Sequence, residues 1–165
     1  MQDYFIENRV YWIQQNYVLI LNTIFNFDNC KKLQDHCLNP ILANPRLFIT
    51  SKDFSTLDKD PLSNLLKRND LHFQIEEIVI WDNLIKWDIQ QIPGLRNIDR
   101  RSNKNYEDLK NTLTNFIPLI RFLNISSDDF YDKVRPYEQI IPNKIYEHAM
   151  TYYFVEQPKL LNHII

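Results

Sequence analysis

The sequence predicts an all-α fold, and three observations carry that prediction. Glycine occurs once in 165 residues, at Gly94, whereas hairpin-rich β folds draw on glycine for turns with positive φ. Apolar residues recur at helical spacing along most of the chain. Helix-capping residues and prolines punctuate those stripes at intervals suited to short helices. The expected architecture is a compact array of about eight helices in helical hairpins, with no sheet. At 20.0 kDa the chain has the length of one domain.

The first residues, Gln2–Asn8, read as a short amphipathic piece. Val10–Phe27 reads as the first long helix, because Ile13, Tyr17, Ile20, Leu21 and Ile24 form one stripe widened by Trp12, Val18 and Phe25. Asp28 or Asn29 can cap a second helix from Cys30 to about Ala43, with Leu33, Cys37, Leu38 and Ile41 inward. Pro40 is expected to kink or shorten it, because its ring clashes with the carbonyl of His36. Ser51 opens a short turn through Phe54 and Leu57. Asp60-Pro61 resembles an N-cap followed by proline at the first helical position; Leu62, Leu65 and Leu66 then face inward, and the helix ends near Asn69-Asp70.

Gln74–Gln91 is expected as the second long helix. Ile75, Ile78, Val79, Trp81, Leu84, Ile85 and Ile89 cover a broad apolar arc, and Glu76, Glu77, Asp82, Asn83 and Lys86 occupy the rest. Pro93-Gly94 ends it, and 96–105 reads as a long exposed loop. Tyr106, Leu109, Leu113, Phe116, Ile117 and Ile120 form a further stripe that Pro118 must bend. Ser126 or Ser127 caps a short helix carrying Phe130, Tyr131 and Val134. Pro142 starts the last helix, with Ile145, Tyr146, Ala149, Tyr152 and Tyr153 inward, and no periodic pattern supports the tail 157–165.

Composition removes several function classes. A single glycine cannot build a dinucleotide-binding fingerprint, a phosphate-binding loop or a nucleophile elbow. A net charge of −2 and a pI near 6.1 predict no general attraction to nucleic acid or acidic membrane. No apolar run approaches the length of a membrane span, and Asp3, Glu7 and Arg9 interrupt any signal-peptide core. The expected location is cytoplasmic or nuclear. Cys30 and Cys37 would lie about two helical turns apart, roughly 10 Å, too far for a disulfide within one helix. They read as small apolar residues in a reducing compartment.

No set of residues reads as a catalytic or cofactor-binding centre. His36, His72, His148 and His163 fall in no metal-ligand frame. Glu76-Glu77 and Asp128-Asp129 lie in first turns, where carboxylates favour the positive end of the helix dipole. Arg100, Arg101 and Lys104 read as a solvated loop, and Trp12, Trp81 and Trp87 as core. The chain is therefore expected to be no enzyme and to need no cofactor or metal. Tyr4 and Phe5 stand out, because a helix as short as Gln2–Asn8 is unstable alone in water and must pack on something.

Three segments together resemble one family. "KRNDLHFQIEEIVIWDNLIKW" (Lys67–Trp87) is similar to the central signature of the BACK domain, the helical module that follows BTB domains. In that module a short helix ending in Asp-x-Leu leads into a long helix with paired acids and a tryptophan at its end, here Asp70, Leu71, Glu76, Glu77 and Trp87. "ITSKDFSTL" (Ile49–Leu57) resembles the preceding short-helix motif, and "PLIRFLNISSDDFYDKVRPY" (Pro118–Tyr137) the Leu-Ile-Arg-Phe stretch and its Ser-capped helix. The resemblance spans roughly Arg9–Tyr153 and is closest to fungal BTB–BACK proteins of the kelch or TLDc type.

It implies a non-enzymatic interaction and linker module, as in substrate adaptors of cullin-3 ubiquitin ligases. In those adaptors BTB dimerises and binds cullin-3, and the first BACK helix pair adds to the cullin contact. Here that pair corresponds to about Val10–Phe27 and Cys30–Ala43. The implied division is 1–8 as the remnant of a BTB-linking helix, 9–155 as the BACK-like domain and 156–165 as a tail. Neither a BTB domain nor a kelch or TLDc domain is expected beyond these limits, as in a short paralogue, a gene fragment or a truncated gene model. A BTB domain and cullin-3 are the implied partners, and the chain without BTB is expected to be a monomer. Tyr4, Phe5, Tyr11 and Trp12 are the expected interaction residues, forming an apolar patch where BTB would dock. The alternative is an unrelated α-helical module that binds a peptide or protein in a groove between helices.

Overall fold

The structure, a computed structural model, describes residues 16–27, 31–92 and 103–156. Among the described residues are nine α-helices linked by 3₁₀ and π turns, and no strand. The all-α expectation holds. The chain divides into two compact units, Met1–Gln74 and Ile75–Ile165.

In the first unit, α1 (Tyr17–Ile24) packs on α2 (Lys31–Ala43). Leu21 and Ile24 are buried, as the stripe predicts. Gln34 ties the two helices by donating to the carbonyls of Ile24 and Phe27, each at 3.2 Å. Pro40 neither breaks nor shortens α2, contrary to expectation. Its ring lies on the exposed side, and burial of Leu38, Ile41 and Leu42 holds the last turn in place. The inner face is correspondingly rotated: Leu33 is exposed and Cys37 only half-buried.

Next comes α3 (Pro45–Ile49), followed by a 3₁₀ turn over Asp53–Thr56. Ser51 opens that turn as predicted, its Oγ accepting the Phe54 N–H at 3.3 Å. Phe54 and Leu57 are buried behind it. Helix α4 (Lys59–Leu66) has its N-cap at Asp58, so Pro61 is the third helical residue and not the first, as the Asp60-Pro61 pair suggests. The position is still harmless, because the first four helical N–H groups have no intrahelical acceptor. Leu62, Leu65 and Leu66 are buried.

A helix not anticipated from the sequence, α5 (Asn69–Gln74), follows. Asp70 thus opens a helix instead of closing one. Arg68 locks this start: Nε and Nη2 reach the two carboxylate oxygens of Asp70 at 3.1 and 2.8 Å, and Nη1 reaches Asp35 of α2 at 3.1 Å. The Arg68 guanidinium holds the Asp70 carboxyl below its ordinary range. Leu71 is fully buried, and the Nε2 of buried His72 lies 2.8 Å from the Leu66 carbonyl.

The second unit is built on α6 (Glu77–Gln91), capped at Glu76. Its buried face takes in Ile80, Trp81, Leu84, Ile85 and Trp87, together with the polar Glu77 and Asp88. Trp81 meets Phe122 edge-on at 5.4 Å and donates its Nε1–H to the Lys133 carbonyl at 3.2 Å. Trp87 meets Phe116 at 5.3 Å. Helix α7 (Asn103–Leu113) packs on α6. The predicted bent helix stops at Leu113, and a separate 3₁₀ turn covers Ile117–Leu119. In a continuous α-helix the ring of Pro118 would clash with the Thr114 carbonyl, so the helix ends before that residue, and Pro118 is accommodated early in the 3₁₀ turn. The apolar stripe survives the break: Leu109, Leu113, Phe116, Ile117 and Ile120 are all buried.

A 3₁₀ turn over Phe122–Asn124 leads to α8 (Ser127–Asp129), which widens into a π turn over Phe130–Val134 and a 3₁₀ stretch over Arg135–Ile140. Ser126 is the cap, its Oγ accepting the Asp129 N–H at 3.1 Å. Helix α9 (Asn143–Thr151) begins after Pro142 and ends in a π turn over Tyr152–Glu156.

Candidate functional site

The sequence-predicted interaction residues Tyr4, Phe5, Tyr11 and Trp12 lie outside the described residues, as do Cys30, Arg100, Arg101 and His163. Of the remaining histidines, His36 and His148 are exposed and His72 is buried in the first unit. Among the described residues no group of three His, Cys, Asp or Glu side chains could hold a metal ion. No helix among them is long and apolar enough to cross a membrane. Cys37 is a free thiol whose pKa burial pushes up, a state unsuited to nucleophilic work. Trp81 and Trp87, at or below 1% exposure, are core residues.

What the described residues do present is exposed apolar side chains on both units. On the first unit these are Leu19, Phe27 and Leu33, on and beside the α1–α2 pair, with Leu47 and Phe73 elsewhere. Single exposed leucines are ordinary, but three large side chains within 15 positions of one helical hairpin are more than solubility favours. The same rotation of α2 that buries Leu42 turns Leu33 outward.

The second unit also holds a cavity of 580 Å³, between the Ser127–Glu138 segment and the α9 segment. That volume falls in the range of ligand and peptide pockets. Its floor is aromatic: Phe130 packs on Tyr146 at 5.9 Å and on Tyr153 at 4.9 Å between ring centres. Met150 adds a flexible apolar wall. Tyr153 is fixed by its hydroxyl, which lies between the carbonyls of Phe122 and Ile125, 2.8 Å from the latter. Burial, with the neighbouring Tyr152, pushes its pKa up to about 12. The Tyr146 hydroxyl is likewise pushed up, by burial and by its hydrogen bond to Glu138.

At the rim, Arg135 lays its guanidinium over the Tyr131 ring, 4.6 Å from the centre. Asp129 is held below the usual carboxylate range by Lys133, 2.7 Å away, and by the Ser126 hydroxyl. Of the residues on the Ser-capped helix, Phe130 and Val134 are buried and Tyr131 is exposed; neighbouring residues on a helix do not share a face, and the chain here opens into a π turn. One signal was present in the sequence: six aromatics, Phe130, Tyr131, Tyr146, Tyr152, Tyr153 and Phe154, fall on two short segments. One helical face each cannot bury them all.

The described residues form an all-α array with apolar side chains exposed on each unit. The BACK family, described as BTB And C-terminal Kelch, matches residues 21–94. BACK is a non-catalytic, adaptor-type helical module. The match begins within α1 and runs to just past α6, so it takes in two of the three resembling segments, Ile49–Leu57 and Lys67–Trp87. Pro118–Tyr137 lies beyond it. No curated protein and no solved structure matches the chain.

Proposed function

We propose that this chain is a non-enzymatic interaction and linker module that works as BACK modules do in cullin-3 ubiquitin-ligase adaptors. Residues 9–155 would form the module, with 1–8 as its BTB-facing end and 156–165 as a tail. The observation that carries the reading is the BACK match at 21–94, which takes in most of the α1–α2 pair, with Phe27 and Leu33 exposed inside it and Leu19 just before it. The mechanism is geometric. Packed helices hold neighbouring protein parts at a fixed angle, and burial at roughly 25 cal/mol per Å² of apolar area supplies the rigidity. Tyr4, Phe5, Tyr11 and Trp12 supply the BTB-docking patch. The chain alone is a monomer, in a cytoplasmic or nuclear setting.

Mixing the purified chain with a BTB domain and the N-terminal part of cullin-3, followed by size-exclusion chromatography, tests this. The expected result is a stoichiometric complex that the L19D/F27D/L33D variant fails to form while keeping its helical circular dichroism. Elution of the chain apart from the BTB–cullin-3 complex, at concentrations well above those of ordinary adaptor complexes, would overturn it.

A further inference from the structure

The aromatic cavity of the second unit lies outside the family match and has a chemistry of its own. Its floor of Phe130, Tyr146 and Tyr153 is apolar, yet formal charges also line it: Asp128, Glu138 and Arg135. Arg135 lies over the Tyr131 ring and keeps its charge, so two acids against one base leave the lining net negative. The surrounding chain tips the balance further, since residues 126–156 carry six acids and three bases. A bound partner therefore meets an apolar slot beneath a net negative rim, which favours a cation beside an apolar anchor.

The mouth shows which kind of partner fits. Tyr131 and Phe154, both lining residues, are 59% and 67% exposed. Apolar surface thus continues out of the cavity along its edge. An enclosed small molecule would leave those two rings in water, whereas a polypeptide that drops one side chain into the slot and runs across the mouth would cover them.

We infer that this cavity is a docking site for a peptide segment of a partner protein, one that places an aromatic or long aliphatic side chain beside lysine or arginine. The anchor stacks on Phe130 and Tyr153, and its basic neighbour faces Asp128 and Glu138. The site is independent of the adaptor reading, because it uses no residue of the α1–α2 pair or of the N-terminal patch.

The test is selection of short random peptides displayed on phage against the full chain, followed by fluorescence titration of the enriched peptides. Enriched peptides should share the apolar–basic pair, and binding should weaken as sodium chloride is raised. Affinity should fall at least about tenfold in F154A and in D128N/E138Q, the size of one lost hot-spot contact. Phe154 and Asp128 are surface residues, and far-UV circular dichroism checks that both variants keep the fold. Failure to enrich any peptide would overturn the inference. So would peptides lacking a basic residue, or binding that ignores both variants. A fourth outcome, binding seen only in the full-length L160D/L161D chain, would assign the slot to the chain's own tail and overturn it equally.

Discussion

Glu77 accepts the backbone N–H of Arg121 on its Oε1 at 2.8 Å, tying the first turn of α6 to a segment 44 positions later. Glu77 is only 3% exposed, so the bond closes in a site with little access to water. A carboxylate at a helix start is favoured by the helix dipole, and here the same group also serves a distant backbone donor. Replacing it with alanine removes the acceptor and leaves that N–H without its side-chain partner, at roughly 1–3 kcal/mol. Glu77→Gln keeps an amide oxygen at the same place. The expected order of urea midpoints is wild type, then E77Q, then E77A; an E77A midpoint equal to wild type would show the bond to be dispensable.

Trp87 gives a large expected loss in the second unit. It is 1% exposed and meets Phe116 edge-on at 5.3 Å. Truncation to alanine opens a large cavity at the junction of α6 with the residues after α7, and such changes cost about 3–5 kcal/mol. Trp87→Phe keeps an aromatic partner for Phe116 and loses less. Thermal unfolding followed by circular dichroism separates them, with W87A well below W87F.

These two residues show how far sequence reading reaches. Periodicity located the buried leucines of α4, the Leu109–Ile120 stripe and, in α6, Trp81, Leu84 and Ile85, because burial there follows the repeat of a regular helix. It left Ile80 and Trp87 out of the α6 arc, set Glu77 on the polar face and turned the half-buried Ile78, Val79 and Ile89 inward, because spacing describes one helix and not the elements packed around it. The Ser126 and Ser51 caps were legible, since their chemistry is local. Helix α5 was not: Phe73 in its middle is 80% exposed, so no clean stripe marks it. Proline misled in both directions. At Pro40 local tertiary burial overrode it, and at Pro118 it ended a helix that the apolar pattern alone would have continued. The cavity was hidden because two separate segments, Ser127–Glu138 and Tyr146–Phe154, line it, and a single-helix pattern does not describe their packing.

Tyr153 makes stability depend on alkaline pH. Its hydroxyl is buried against the Phe122 and Ile125 carbonyls, and its pKa rises from 10.0 to about 12 on folding. The unfolded chain therefore releases this proton first. The contribution of Tyr153 is whole below pH 10 and is lost as pH climbs towards 12. Tyr153→Phe removes the titrating group and one buried hydrogen bond, so it should be less stable than wild type at neutral pH by roughly 1 kcal/mol. It should also lose less stability than wild type between pH 10 and 12. Parallel pH profiles for the two proteins would contradict the assignment.

Asn22 is the corresponding joint of the first unit, and it uses both ends of its amide. Nδ2 donates to the Thr56 carbonyl at 3.1 Å, and Oδ1 accepts the Asp58 N–H at 2.9 Å. One side chain of α1 thus holds both ends of the short link between the Asp53–Thr56 turn and α4. Asn22→Asp keeps the acceptor for Asp58 but presents oxygen to the Thr56 carbonyl, replacing an attraction with a repulsion between two acceptors. Asn22→Ala removes both bonds without adding a repulsion. Because the site is partly open to water, each lost bond costs about 0.5–1.5 kcal/mol. N22A should therefore lower the unfolding midpoint measurably at every pH. N22D should gain stability as pH falls and its carboxyl takes up a proton, because the protonated oxygen can donate to Thr56 again. A pH-independent N22D, measured by urea titration from neutral pH down through the carboxylate range, would show that the Thr56 contact contributes nothing.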